Sequence, residues 1–184
     1  MANGTVTHSM TSNENSDLAV SVVIPAYNEV NNVEPLLEEL TDVLESTEME
    51  RFSDYEVVLV DDGSDDGTRK IVAEVAEKRD EATAILLRRN FGKSAALEAG
   101  FQHAQGDVVT TIDADMQDDP KMIPLLVDKL FEGYDCVSGW RRRRQDPVMK
   151  RLPSLIQTYL AWITGPKIHD YVCGLKVYRY EAIE

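Results

Sequence analysis

Cysteine is nearly missing from this chain: Cys136 and Cys173 are the only two in 184 residues. That excludes a disulfide scaffold and a cysteine-built zinc centre. Histidine is as scarce, and His8, His103 and His169 have no metal-ligand spacing. No apolar run approaches the roughly 20 residues that span a membrane. The polar N-terminus has no hydrophobic signal core, so an intracellular location is expected. Three motifs are also absent. No G-x-G-x-x-G follows the first apolar strand, and no G-x-S-x-G occurs anywhere. Gly92-Lys93-Ser94 has the tail of a phosphate loop, but Leu87–Phe91 contains no glycine to begin one. Dinucleotide-binding, serine-hydrolase and nucleoside-triphosphatase readings are therefore set aside.

Acidic residues are plentiful: 33 Asp and Glu face 19 Lys and Arg, a net charge of −14. The few cations are clustered. Arg141–Arg144, Lys150 and Arg151 stand against Asp146 alone within 141–151, a net +5 that leaves −19 on the rest. The acidic remainder disfavours a nucleic-acid partner and is compatible with a high-salt cytoplasm. The basic run precedes Leu152–Ile163, where the apolar spacing predicts an amphipathic helix. Together they suit an anionic lipid surface, although a solvated loop accounts equally well for any single arginine.

Residues 1–18, rich in Ser, Thr and Asn, read as a disordered tail. The remainder alternates between two periods. Strands are predicted at Val20–Ile24, Tyr55–Val60, Ala84–Leu87, Asp107–Ile112, Cys136–Ser138 and Leu175–Tyr178. Helices are predicted from an Asn31 or Asn32 cap to about Ser46, then at Thr68–Lys78, Lys93–Ala104 and Pro120–Glu132. Strands alternating with helices predict one α/β domain on a mostly parallel sheet flanked by helices.

Polar motifs fall where these strands end, and ligands of open α/β sheets gather beyond the carboxyl ends of strands. Asp113-Ala114-Asp115, with Gln117 two residues on, follows the fourth strand. Two carboxylates and an amide suit a hard cation, Mg²⁺ or Mn²⁺; an acidic loop with an N-cap carboxylate gives the same triplet. Pro25-Ala26-Tyr27-Asn28-Glu29 follows the first strand and offers a ring for stacking on a base. Asp61–Thr68 follows the second; its glycines permit a tight turn, and an aspartate there can accept hydrogens from a base. Lys93 and Arg89 are suited to holding a diphosphate, helped by the backbone at the helix start.

In this order the blocks VVIPAYNE, VLVDDGSDDGT, RNFGKSAAL, TIDADMQDDP, VSGWRRRR and KRLPS, extended by ITGPKIHDYVCGLKVYR, closely resemble family 2 glycosyltransferases. They are most similar to the group of dolichol-phosphate mannose synthase and the undecaprenyl-phosphate sugar transferases. The resemblance covers about residues 20–180. It implies the GT-A fold over 19–184, in a chain shorter than many relatives and without their membrane spans. It implies that Pro25, Tyr27 and Glu29 line the nucleoside pocket, that Asp62 meets the base and that Lys93 assists the diphosphate. Asp113, Asp115 and Gln117 would surround the Mg²⁺ or Mn²⁺ ion. Arg141, Arg151 and Ser154 would receive acceptor or donor phosphates, and Asp170 would lie near the sugar. Met116 stands where Leu is more usual, and Leu155 and Thr158 replace Arg and Asn. The implied reaction is inverting transfer of a hexose from a UDP- or GDP-sugar to a polyprenyl phosphate at the cytoplasmic membrane face. Peripheral membrane contact and a homo-oligomer are compatible with it. The alternatives are a glycan hydroxyl acceptor, with Asp119 or Asp170 as base, a nucleotidyltransferase, and a non-catalytic nucleotide-sugar-binding subunit.

Overall fold

The computed structural model describes residues 18–139 and 173–183. Residues 1–17 of the expected tail 1–18, the basic run from Arg141 and the helix expected at Leu152–Ile163 lie outside the described residues, as do Arg151, Ser154 and Asp170; Leu18, expected in the tail, opens the first strand instead.

Among the described residues six strands form one sheet: β1 (Leu18–Ala26), β2 (Phe52–Asp61), β3 (Ala82–Leu86), β4 (Val108–Thr111), β5 (Cys136–Ser138) and β6 (Lys176–Arg179). Their order is β3-β2-β1-β4-β6-β5. The β1–β2, β2–β3 and β1–β4 pairs are parallel, and β6 runs antiparallel to both its neighbours. The expected mostly parallel sheet is present, with β6 as its one reversed strand.

Alternation along β1 sends its side chains to two cores. Val20, Val22 and Ile24 pack on one side with Leu36, Leu40, Val72, Ile123 and Leu130. These helix residues belong to α1 (Val33–Leu44), α2 (Thr68–Lys78) and α4 (Ile123–Phe131). Val23 faces the other way, toward Val58, Val60, Val109 and Ala96 of α3 (Lys93–Phe101). Burying each such Leu or Ile contributes about 1.5–3 kcal/mol, so the two-sided apolar strands commit the chain to helices on both faces.

Local chemistry trims several predicted elements. Strand β1 runs through Pro25, because β4 pairs with it only as far as Val23 and a proline is tolerated where one flank is open,. Asn32 takes the cap position of α1 without a capping bond; its amide donates to Glu29 Oε2 at 2.6 Å instead. Helix α4 is preceded by a separate 3-10 turn at Pro120–Met122, capped by Asp119, which accepts the Lys121 N–H at 3.0 Å.

The chain runs outward from β1 to β2 and β3, then crosses back to place β4 on the other flank of β1. This reversal of strand order opens a crevice beyond the carboxyl ends of β1 and β4.

Candidate functional site

A cleft of about 270 Å³ occupies that crevice. Among the residues lining it are Pro25, Tyr27, Glu29, Asp62, Lys93, Asp113 and Asp115, contributed by four segments distant in sequence. Asn90 and Ala96, which lie in the block RNFGKSAAL without an expected role, also line it. Gln117 is not among the lining residues; its backbone N–H donates to Asp115 Oδ1 at 3.1 Å.

One end of the cleft is built by two loops that brace each other. Asn28 adopts the left-handed region at φ 57°. Its N–H donates to Ser64 Oγ at 3.0 Å, and its side-chain oxygen accepts the Asp65 N–H at the same distance. The Glu29 N–H donates to Thr68 Oγ1 at 2.8 Å. Beneath them Asp61, fully buried, accepts the Gly63 and Ser64 N–H groups at 3.2 Å and pairs with Arg69 at 3.2 Å. Gly63 lies at φ 72°, a conformation that favours glycine,. So braced, the first loop leaves the Tyr27 ring 46% exposed.

Asp62 has a structural role that its motif did not announce. It is only 3% exposed, and its two oxygens accept the N–H groups of Phe91 and Gly92 at 2.8 and 2.9 Å. It therefore fixes the loop that delivers Lys93. A carboxylate has about four lone-pair sites, so these bonds leave acceptor capacity toward the cleft.

Lys93 reaches across to Asp113, its ammonium lying 2.5 Å from Oδ1 and 2.7 Å from Oδ2. A side-chain cation thus already rests on this carboxylate. Asp113 and Asp115 are oxygen donors in one cleft, and hard divalent cations prefer oxygen,. Among the described residues no cluster of three or more Asp, Glu, His or Cys surrounds such a position. Mg²⁺ usually takes one or two carboxylates plus substrate phosphates and water, so the pair fits a cation shared with a diphosphate.

His103 does not join the cleft; one ring nitrogen lies 2.8 Å from Ala99 O on its own helix. Asp119 is occupied as a cap. Beside the site, β6 lies between β4 and β5, and the Gly139 N–H donates to Leu175 O at 2.9 Å. The two roots of the intervening stretch 140–172 are therefore tied together next to β4.

Comparison with known proteins finds a matching family, curated relatives and solved structures. The model described as "Glycosyl transferase family 2" matches residues 21–184. An undecaprenyl-phosphate 4-deoxy-4-formamido-L-arabinose transferase from Shewanella sediminis (strain HAW-EB3) is 42% identical over 177 residues, covering 95% of this chain and 52% of the relative. One from Proteus mirabilis (strain HI4320) is 43% identical over 167 residues, covering 90% and 50%. The chain thus spans about half the length of the curated relatives it matches. Among solved structures, the mannosyltransferase PcManGT from Pyrobaculum calidifontis, in complex with GDP-Man and Mn²⁺, superposes with a TM-score of 0.61. It is 25% identical, with 88% of this chain and 44% of that one covered. Mannosyl-3-phosphoglycerate synthase from Rubrobacter xylanophilus gives 0.67 at 23% identity, covering 89% and 54%, and shows the shared fold.

Proposed function

The chain belongs to glycosyl transferase family 2 and has its GT-A fold, and on that premise we propose that it transfers a sugar from a nucleoside-diphosphate donor to a polyprenyl phosphate, with inversion. The observation that carries this reading is the convergence of Tyr27, Asp62, Lys93, Asp113 and Asp115 on one cleft at the strand-order reversal. The relatives' names supply the acceptor class, undecaprenyl phosphate. They also name a formamido-arabinose, which belongs in a donor test beside the hexoses expected from the sequence.

Each residue has a task set by its position. The exposed Tyr27 ring stacks on the base, and Asp62 and Glu29 accept from the nucleoside. Asp113 and Asp115 would hold Mg²⁺ or Mn²⁺, whose charge stabilises the departing nucleoside diphosphate. Lys93, already in the cleft, shifts from Asp113 to a diphosphate oxygen when the donor enters. A phosphate acceptor is ionised near neutral pH and needs no general base. That agrees with His103 and Asp119 being engaged elsewhere. A hydroxyl acceptor would need such a base, and the capping role of Asp119 weighs against it. The arginines of 141–151, with Ser154 and Asp170, are proposed to receive the acceptor phosphate and the sugar; the Gly139–Leu175 bond and the closeness of Gly174 to Asp113 support this, because they bring both borders of that sequence toward the cleft. Contact with the lipid-borne acceptor is proposed to be peripheral, through the basic run 141–151; among the described residues no helix is long and apolar enough to cross a membrane.

A panel of UDP- and GDP-sugars with short polyprenyl phosphates, with and without Mn²⁺, tests the reading. Turnover with one donor–acceptor pair, abolished by a chelator and by Asp115→Ala, is the expected result. Transfer that survives both, or binding of donor without transfer to any lipid phosphate, would overturn it.

A further inference from the structure

Asp118 belongs to the same acidic run as Asp113 and Asp115, yet it is not among the cleft-lining residues and is only 6% exposed. A buried carboxylate is costly unless hydrogen-bonded, and the partners of this one are specific. Oδ2 accepts the Leu175 N–H at 3.1 Å, and Oδ1 accepts the Cys173 thiol at 3.5 Å. Between them, Gly174 O accepts the Thr111 hydroxyl at 2.7 Å. The backbone of 173–175 is thus held from below by β4 and by the loop that follows it.

Gly174 shows what this backbone is held against. A β-carbon built there would fall within 2.6 Å of every atom of the Asp113 carboxyl group. Asp113 is therefore lodged between the Lys93 ammonium and the Gly174 backbone.

We propose that Asp118 is a positioning residue: by anchoring Cys173–Leu175 it sets the backbone wall that orients the Asp113 carboxylate for a cation. This rests on the donor-site reading above. Removing Asp118 strips the buried Leu175 N–H of its acceptor, the wall relaxes, and the Asp113 carboxylate loses its fixed direction. An asparagine keeps an oxygen for that N–H and preserves the wall.

The test is Mn²⁺ titration of the full chain without sugar donor, followed by electron paramagnetic resonance of the free ion. Amide hydrogen exchange at Leu175 is read in parallel. Asp118→Ala is expected to weaken Mn²⁺ binding about tenfold, the scale of one unpaired buried donor, and to speed exchange at Leu175. Asp118→Asn is expected to stay within about threefold of the parent, because the hydrogen-bond acceptor is kept. Should Asp118→Ala fail to fold, Thr111→Val removes the bond to Gly174 O, along with a side-chain bond to Tyr178 on β6, and is expected to weaken Mn²⁺ binding about threefold. Parental Mn²⁺ affinity in a folded Asp118→Ala, or in Thr111→Val if that is the variant available, overturns the inference. So does an Asp118→Asn as weak as Asp118→Ala, which would make charge rather than the acceptor the agent. Parent protein that takes up no Mn²⁺, with or without nucleotide, overturns the donor-site reading and this inference with it.

Discussion

The ammonium of Lys93 forks across both oxygens of Asp113, with about half of the lysine side chain still exposed. An exposed pair of this kind contributes about 0–1 kcal/mol. Lys93→Met is therefore expected to tighten nucleotide-free Mn²⁺ binding by no more than about fivefold, since one charge then competes less for Asp113. The same variant is expected to bind the nucleoside diphosphate more weakly, and calorimetric titration of each ligand separates the two effects. Asp66 makes a prediction in pH. Desolvation raises its carboxyl pKa, but bonds from the Thr68 hydroxyl, the Thr68 N–H and the Val30 N–H outweigh this and hold it below its ordinary value of 3.8. A depressed folded value means that the stabilisation is complete above 3.8 and is lost as pH falls through the lower folded value,. The gap in Tm between the parent and Asp66→Ala is thus expected to be widest near neutrality and to close on acidification below 3.8,.

Helix α2 begins and ends where its sequence pattern predicts, at Thr68 and Lys78, because Gly67 at φ 109° opens it and polar Arg79-Asp80 closes it. Other bounds depended on neighbours that a linear reading does not contain. Pro25 reads as a stop, yet it stays in strand because β4 has already parted from β1. The antiparallel direction of β6 was not legible, since local alternation is the same for either orientation and only the pairing with β4 and β5 decides it,. The turn before α4 carries a prediction of its own. Asp119→Ala loses the cap on Lys121 and is expected to cost about 1 kcal/mol, measurable by denaturant unfolding. Asp119→Asn retains an acceptor oxygen and is expected to keep near-parental sugar transfer, as a phosphate acceptor requires.

At the scale of the molecule, the three-layer architecture could be read from the sequence because its apolar periods are long and unambiguous: Leu36, Leu40 and Leu44 on one helix, Val22 and Ile24 against Val23 on one strand. The cleft was legible only where strand ends carry chemically distinctive residues, as at Tyr27, Asp62, Asp113 and Asp115. Asn90 and Ala96 carry no such mark: Asn90 lies in the loop that Asp62 holds, and Ala96 enters the cleft through the packing of α3 beside Val23 of β1. Leu40→Ala, deep in the larger core, is expected to cost about 2–5 kcal/mol and to lower Tm in thermal unfolding, while donor affinity well below that Tm stays parental.

The strand arrangement around β6 has a consequence for how such an enzyme diversifies. Gly139 at the end of β5 and Leu175 just before β6 are joined by a backbone hydrogen bond, which holds the two borders of residues 140–172 side by side. Fixed borders let the sequence between them be exchanged without moving the sheet. Grafting it from a relative with a different lipid preference is expected to move acceptor choice while leaving nucleotide selectivity and folding untouched, and a chimera scored against two acceptors and two donors would reveal that split.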